Sequence, residues 1–505
     1  MSSTFSRIAA RDRIPFGQKL AFAAGVNTDY VSNGLLKSML LMPFFNIGMG
    51  MNPAVIGAVL MIFRAWDAIT DPVMGNISDN TRTRWGRRRP FMFSGAIATA
   101  AAYPLFWYMP AAWEPAAKAV WLTLTGVLFY SCFTLWSMPY YSMQLELTPD
   151  YDERTRLAAW MALFGKLFWL CAGWFFVLVM LLGSLATGAP GALEGKSGFV
   201  RDVLAGIQPW LASFASPAEG EKPIVAGMRI ACWLIVAAIL VFGMLPALFV
   251  RERYYRAEAR KQPRDPFWQS LRESFRNVPL WLLIGTSFFL TLGTASVTSL
   301  GQYMNFYYVN HGDLDKAAVI GGVKMTTTVI VGIACLPLLT KLGERFDKRS
   351  VVTGMLACSM FGHLLNYVCL TPDYPYLQIV PAVFESCGLG AIWMFLPSMK
   401  GDVADYDEMS SLRRREGSIN AFYSWFVKVA ATISLGIGGL VLQVSGFDAK
   451  LAGQPPEVLG RMFAMYLVLP VVIWCLALAL VRFYPLTRAR AEQIRDELEA
   501  RRGKI

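Results

Sequence analysis

Charge is scarce in this chain. Only 16% of its 505 residues are Asp, Glu, Lys or Arg, 55% are hydrophobic, and mean hydropathy is +0.42. A soluble domain carries about 25% charged residues, so a water-exposed globule is not expected. Histidine is nearly missing. His311 and His363 are the only two, too few for most histidine-based metal sites. The eight cysteines are scattered singly and none forms a CxxC pair, so neither a disulfide nor a metal site is expected from them. The N-terminus, MSSTFSRIAARDRIPFG, has no short apolar core followed by a cleavage site, so no removable signal peptide is expected. No nucleophile–base pair or metal cluster is evident, so an enzyme is not expected.

Long apolar runs fill the space that charge leaves. Runs of about 20 residues cross a bilayer as helices, and here they recur along the whole chain. They predict spans at roughly 17–46, 53–78, 90–110, 117–147, 157–184, 223–250, 279–305, 317–340, 350–370, 376–402, 418–445 and 460–484. The reading is an all-α polytopic membrane protein with twelve transmembrane helices. The formal charge of +12 does not point to nucleic acid. Most lysines and arginines fall in the N-terminus, alternate loops and the C-terminus. The opposite loops hold six: Lys118, Lys196, Arg201, Lys222, Lys316 and Lys450. The positive-inside rule then places both termini in the cytoplasm, with the basic clusters against anionic lipid heads.

The string DYDE occurs twice, at Asp150–Glu153 and Asp405–Glu408, about half a chain apart. A second rhyme pairs GNISDNTRTRWGRRRP (75–90) with GERFDKRSVV (343–352). Two matches at nearly one offset predict two six-helix halves in parallel repeat, the major facilitator arrangement. The halves are 1–250 and 278–484, with a charged cytoplasmic linker at 251–277 and a cytoplasmic tail at 485–505. An outer-face insert, 185–222, spaces Val200, Leu204, Ile207, Leu211 and Phe214 along one helical face, which suits a membrane surface or a cap.

A charge at mid-bilayer costs at least about 2.5–3.5 kcal/mol, so such residues pair or line a polar cavity. In the second span Arg64, Asp67 and Asp71 fall at i, i+3 and i+7, on one face. One arginine neutralises one carboxylate, and the other requires a proton or a hard cation such as Na⁺. Asp67 and Asp71 are therefore the candidate cation ligands, with Arg64 coupled to them. The first span carries Asp29, Asn33 and Lys37 in a similar stripe, and the eleventh carries Lys428. Lys166, Lys324, Lys400 and Glu385 are further embedded charges, and Lys324 and Glu385 are read as internal salt-bridge groups. At the cytoplasmic helix ends Asp79, Arg84 and Arg87 are expected to pair with the acidic turns, namely Asp150, Glu153, Asp405 and Glu408, and with Arg415, in a network that closes one side. Aromatic residues suited to stacking on sugar rings include Tyr141, Trp393, Tyr423 and Trp425.

Three blocks carry a resemblance: RAWDAITDPVMGNISDNTRTRWGRRRP, MPYYSMQLELTPDYDERT, and MKGDVADYDE followed by RRREGSINAFYSWFVKVA. They resemble the glycoside–pentoside–hexuronide:cation symporters, of the melibiose permease type. The resemblance implies a major facilitator fold and uptake of a sugar or glycoside coupled to Na⁺ or H⁺, with no other cofactor. It implies that Asp67 and Asp71 hold the cation and that Lys428 sits near cation and sugar. It implies that Asp29, Asn33, Tyr141, Trp393, Tyr423, Ser424 and Trp425 belong to the substrate site. Ser137 stands where melibiose permease has a further aspartate, and Met161 where many members have an arginine. The expected setting is the bacterial inner membrane, as a monomer among lipids. A related branch that moves lysophospholipids shares the RAWDAITDP block and supplies the alternative.

Overall fold

A computed structural model of the chain describes residues 13–81, 83–147, 151–189, 193, 198–252, 277–390, 394–411, 416–451 and 453–502. The predicted linker at 251–277 lies almost wholly outside them. The described residues form helices: a first run, α1, from Phe16–Asp29 continued by π-helical turns to Gly48; α2, Pro53–Asn80; α3, Arg89–Ala102; α4, Pro115–Glu146; α5, Tyr151–Thr187; α6, Gly198–Ala215; α7, Pro223–Phe249. Then come α8, Val278–Tyr303; α9, Leu314–Arg345; α10, Lys348–Cys369; α11, Ile379–Gly390; α12, Leu396–Ser411; α13, Glu416–Ser445; α14, Pro456–Arg482; and α15, Arg488–Arg502. Nine helices among the described residues are long and apolar enough to cross a membrane.

Local chemistry sets the helix starts. Asn52 accepts the Ala54 N–H ahead of Pro53, Asn277 accepts the Leu280 N–H ahead of Pro279, and Asp313 accepts the Lys316 N–H. Each satisfies a backbone donor that the first turn leaves without a partner. Two lysines from the sparse basic side close the end of the first run. Lys118 Nζ donates to the Met49 carbonyl at 3.0 Å and Lys222 Nζ to the Ile47 carbonyl at 2.8 Å. Cations suit that end because the last carbonyls carry the negative pole of the helix.

The chain divides into two compact units, Met1–Gln262 and Pro263–Ile505. Within the first, α2 packs on α4, α3 on α4 and α7, α1 on α5 and α7, and α5 on α7. Within the second, α9 packs on α11, α10 on α11 and α14, α8 on α13 and α14, and α13 on α14. The pairing scheme is the same in both. The insert helix α6 has no counterpart. It lays Leu204, Leu211 and Ala215 against Leu185, Ala186, Ala226 and Ile230 of α5 and α7. Val200, Ile207 and Phe214, predicted on the same face as Leu204 and Leu211, are exposed instead. From Leu204 the buried line steps by i+7 and i+11.

A second correction concerns the repeated acidic string. Asp405–Glu408 lies within α12, which runs on to Ser411, and Tyr151–Glu153 begins α5, so the described parts are helical rather than turns. No Gly or Pro stands between Asp402 and Ser411 to stop the helix.

The crossing of α5 and α7 depends on Gly183 and Gly227. A Cβ on Gly183 would collide with the Pro223 carbonyl, and one on Gly227 with that of Val179. Gly227→Val is expected to lower stability by about 1–3 kcal/mol or more, because backbone rather than a mobile side chain must give way. Thermal unfolding of purified protein measures this. Gly206→Ala, inside α6 where a Cβ meets nothing, is expected to leave the midpoint unchanged or raise it slightly, because alanine favours the helix.

Candidate functional site

Three helices of the first unit converge on a polar cluster within apolar surroundings. Helix α2 supplies Arg64, Asp67 and Asp71, and α4, packed along it, supplies Tyr130, Ser131, Thr134 and Tyr141. The first run supplies Asp29, Asn33 and Lys37.

Asp67 faces two bases. Lys37 Nζ and Arg64 Nη1 each lie 3.6 Å from the same carboxylate oxygen, Oδ2. The lysine is buried and the carboxylate is 14% exposed. The expectation that Arg64 alone neutralises one aspartate is therefore corrected: Lys37 reaches across from the first run. The lysine Nζ also sits 4.2 Å from the centroid of the buried Tyr130 ring, a cation–π contact. Asp71 lies one turn beyond Asp67 and takes a different partner, the Thr134 hydroxyl, at 3.3 Å. Thr134 Oγ1 is also 3.3 Å from Thr70 Oγ1, and Trp66 Nε1 donates to Ser131 Oγ at 2.8 Å. Ser137, one turn further along α4, is buried.

Asp29 extends the cluster. Its Oδ2 accepts the Tyr141 hydroxyl at 2.6 Å and its Oδ1 accepts the Asn33 amide at 3.0 Å. The Tyr130 hydroxyl reaches Asn33 Oδ1 at 3.5 Å. A continuous polar line thus runs from Tyr141 through Asp29, Asn33 and Tyr130 to Lys37, Asp67 and Arg64. Among the described residues three carboxylates, Asp29, Asp67 and Asp71, stand together with two bases, Lys37 and Arg64. All its oxygen donors are carboxylates, hydroxyls and an amide, the hard set that suits H⁺ or an alkali cation.

The other expected residues are distributed as follows. Tyr423 is buried on α13, its hydroxyl donates to Ser287 Oγ of α8 at 2.9 Å, and Lys400 Nζ lies 5.1 Å from its ring centroid. Its polar end is thus engaged within its own unit. Ser424 is half-buried, while Trp425 and Lys428 are exposed on the same helix. Trp393, Asp150 and Arg415, and the side chain of Asp79, lie outside the described residues.

At the helix ends, Arg84 is exposed, and Arg87, Asp405 and Glu408 are half-buried. Glu153 is almost fully buried. It accepts the Ile14 N–H at 3.0 Å and pairs with Lys19 Nζ at 2.6 Å, which ties the start of α1 to α5. Asp407 does the corresponding job in the second unit, accepting from Asn277 at the start of α8 at 3.1 Å. The sequence reading also missed Glu252. Its carboxylate accepts the backbone N–H groups of Arg87, Arg88 and Arg89 at 2.9, 2.8 and 3.1 Å, capping α3. Gly86 allows this: its φ is +110°, and a Cβ there would run into the Glu252 carboxylate. The GRRR string was the available signal, since a glycine before a helix start leaves amides open to an anion.

The fold is that of known membrane transporters. A bacterial homolog of the human lysosomal transporter Spinster, in an inward-facing unoccupied conformation, superposes with a TM-score of 0.61 at 15% identity, covering 95% of this chain and 97% of that one. A sequence-family model described as MFS/sugar transport protein matches residues 22–488, so the chain belongs to that family. Its sequence places it with the glycoside–pentoside–hexuronide:cation branch, as the three blocks implied. The glucuronide carrier protein homolog of Escherichia coli strain K12 is 24% identical, over 92% of either chain. The sodium-dependent lysophosphatidylcholine symporter 1 of Mus musculus is also 24% identical, over 97% of this chain and 90% of that protein.

The Lys37–Asp67 contact is measurable by a double-mutant cycle. Lys37→Met and Asp67→Asn are each expected to destabilise the protein, and the double variant to lose less than their sum. The expected coupling is about 1–3 kcal/mol, read from unfolding of the purified protein. Additive losses would show that the two side chains do not interact.

Proposed function

We propose that the protein is a secondary active symporter that carries a sugar or glycoside into the cell with Na⁺ or H⁺, by alternating access. The observation that carries this reading is the polar cluster of the first unit: three carboxylates against two bases, embedded in membrane-spanning helices. A carboxylate embedded there is costly unless a proton, a base or a mobile cation answers it. Asp71, with Thr70 and Thr134 beside it, takes the cation, and Asp67 holds Lys37 and Arg64 in place. Once the cation binds, Lys37 and Arg64 are less tightly held by the carboxylates, which links ion binding to the neighbouring polar line. Asp29, Asn33 and Tyr141 contribute hydroxyl, amide and carboxylate groups of the kind that recognise sugar hydroxyls. For Tyr423, Ser424, Trp425, Lys428 and Trp393 a substrate role rests on the resemblance of their sequence blocks.

The proposed topology is twelve membrane crossings in two six-helix halves, with both termini in the cytoplasm of a bacterium and the protein in the inner membrane as a monomer. The nine long apolar helices support it. So do three interrupted helical stretches: the first run with its π-helical turns, α3 continued by a 3₁₀ turn over Tyr103–Phe106, and α11 with α12. The arginine- and aspartate-bearing helix ends around Asp79, Arg84, Arg87, Asp150, Glu153, Asp405, Glu408 and Arg415 are assigned to control of the cytoplasmic side, and 251–277 to the linker.

A second reading, transport of a lysophospholipid, is favoured by the full-length likeness to the mouse lysophosphatidylcholine symporter. The two readings differ in what competes: glycosides in the first, lysophosphatidylcholine but not sugars in the second.

One cation moving down 100 mV supplies about 2.3 kcal/mol, which corresponds to about 40-fold accumulation of a neutral sugar. In proteoliposomes with an imposed potential, Asp71→Asn is expected to abolish this accumulation and leave at most equilibration. A panel of glycosides and lysophosphatidylcholine, tested with and without Na⁺ and at two pH values, identifies both ligands. Unchanged concentrative uptake by Asp71→Asn and Asp67→Asn would defeat the proposal.

A further inference from the structure

The second unit holds a buried pair that the sequence reading did not join. His363 lies on α10, about 22 Å along the helix from Lys348 at 1.5 Å per residue, and has no exposed surface. Its Nε2 is 2.9 Å from the main-chain carbonyl of Tyr466 on α14, and its Nδ1 is 2.9 Å from Glu385 Oε1 on α11. Glu385, expected to pair with a lysine, thus meets a histidine at hydrogen-bond distance, with Lys324 of α9 acting on it electrostatically.

The hydrogen-bond inventory determines how many protons the pair holds. A carbonyl oxygen only accepts, so Nε2 carries a hydrogen. A neutral ring then has a bare, accepting Nδ1. An ionised Glu385 also only accepts, and two acceptors cannot hydrogen-bond at 2.9 Å. One further proton must lie between them, either on the acid, donating to Nδ1, or on the ring, donating to the carboxylate. The proton count is the same in both cases. Asn366 does not supply it. Its amide donates to the same Oε1 at 3.2 Å and to the His363 carbonyl at 2.9 Å, which leaves the Nδ1–Oε1 contact unchanged. Its Oδ1 is buried with no hydrogen-bond partner among the described residues, so one acceptor beside the pair stays open.

We propose that His363 and Glu385 form a proton-binding site in the second half of the protein, holding one proton more than a neutral ring and an ionised acid together contain. The proton comes from water and returns to it. Glu385, whose side chain is 14% exposed, is its way in, since the ring itself is sealed. The charged and titratable groups facing the pair are Lys324 from α9 and Tyr466 from α14. On α10 itself Tyr367, one turn on from His363, is 71% exposed. The site joins three helices. Tyr466 and Trp474 of α14 pack edge-on to the ring at 4.9 and 5.6 Å, and a Cβ on Gly362 would strike Phe384 of α11. Separating α14 from α10 removes the carbonyl, frees Nε2 to lose its hydrogen, and so lowers the hold on the extra proton. The inference does not depend on which substrate the protein carries.

The scarcity of histidine makes a direct test practical. His311 is exposed at a left-handed φ of 50°, a conformation that Asn tolerates. In His311→Asn, ¹⁵N-histidine labelling leaves His363 as the one labelled side chain. Nitrogen NMR and infrared spectra of this protein in lipid nanodiscs are recorded from pH 5 to 9. The expected result at neutral pH is a protonated Nε2, together with either a protonated Nδ1 or a protonated-carboxyl infrared band. That Nδ1 signal or band is lost in Glu385→Gln, whose amide donates to a bare Nδ1, and the variant binds one proton fewer. A neutral ring with bare Nδ1 and no protonated-carboxyl band in the His311→Asn protein over the whole range would overturn the proposal, whether or not the Glu385→Gln variant folds.

Discussion

A carboxylate in a membrane-spanning helix has to be answered by a proton, a base or a bound cation, because hydrocarbon solvates none of its charge. Asp67 meets that requirement with two bases from two different elements, Lys37 on the first run and Arg64 on its own helix. The rest of the first unit is arranged around this. The first run must lie close enough to α2 for Lys37 to reach, and Tyr130 of α4 fills the space beneath the ammonium with an aromatic face. Asp71, one turn further on, accepts the Thr134 hydroxyl.

The second unit repeats the packing scheme but not the chemistry. Both use an acidic residue of the repeated string to hold the start of their first helix, Glu153 in one and Asp407 in the other. The acid of the second unit's embedded cluster, however, is answered by an imidazole. Duplicated architecture thus carries two differently built polar centres, one of aspartates with a lysine and an arginine, the other of a glutamate with a histidine.

The helix ends show the same division of labour between positions that look alike in sequence. The basic string after α2 reads as a run of equivalent arginines. In the structure Arg84 is exposed, while Arg88 is buried and donates to Ser78 at 2.6 Å. The amides of Arg87, Arg88 and Arg89 are gathered by one carboxylate, Glu252, more than 160 residues away. A left-handed glycine makes room for that carboxylate.

Much of this protein is determined by local order along the chain. Apolar runs of membrane length can satisfy their backbone groups only as helices, so the helical class follows from composition and run length alone. The i, i+3, i+7 spacing puts Arg64, Asp67 and Asp71 on one face because the helix repeats every 3.6 residues. The repeated strings announce two similar halves. What the chain order does not contain is which face meets which. Lys37 and Asp67 are thirty residues apart, His363 and Glu385 twenty-two, and nothing in their spacing distinguishes them from Lys324 or Lys428 as partners. The same holds for the hydrogen bond from Tyr423 to Ser287, and for α6, whose buried line was settled by its packing on α5 and α7. Periodicity is a property of one helix, but an ion pair or a shared proton requires two side chains from separate stretches to meet within about 3–4 Å, and only the packing of helices decides that.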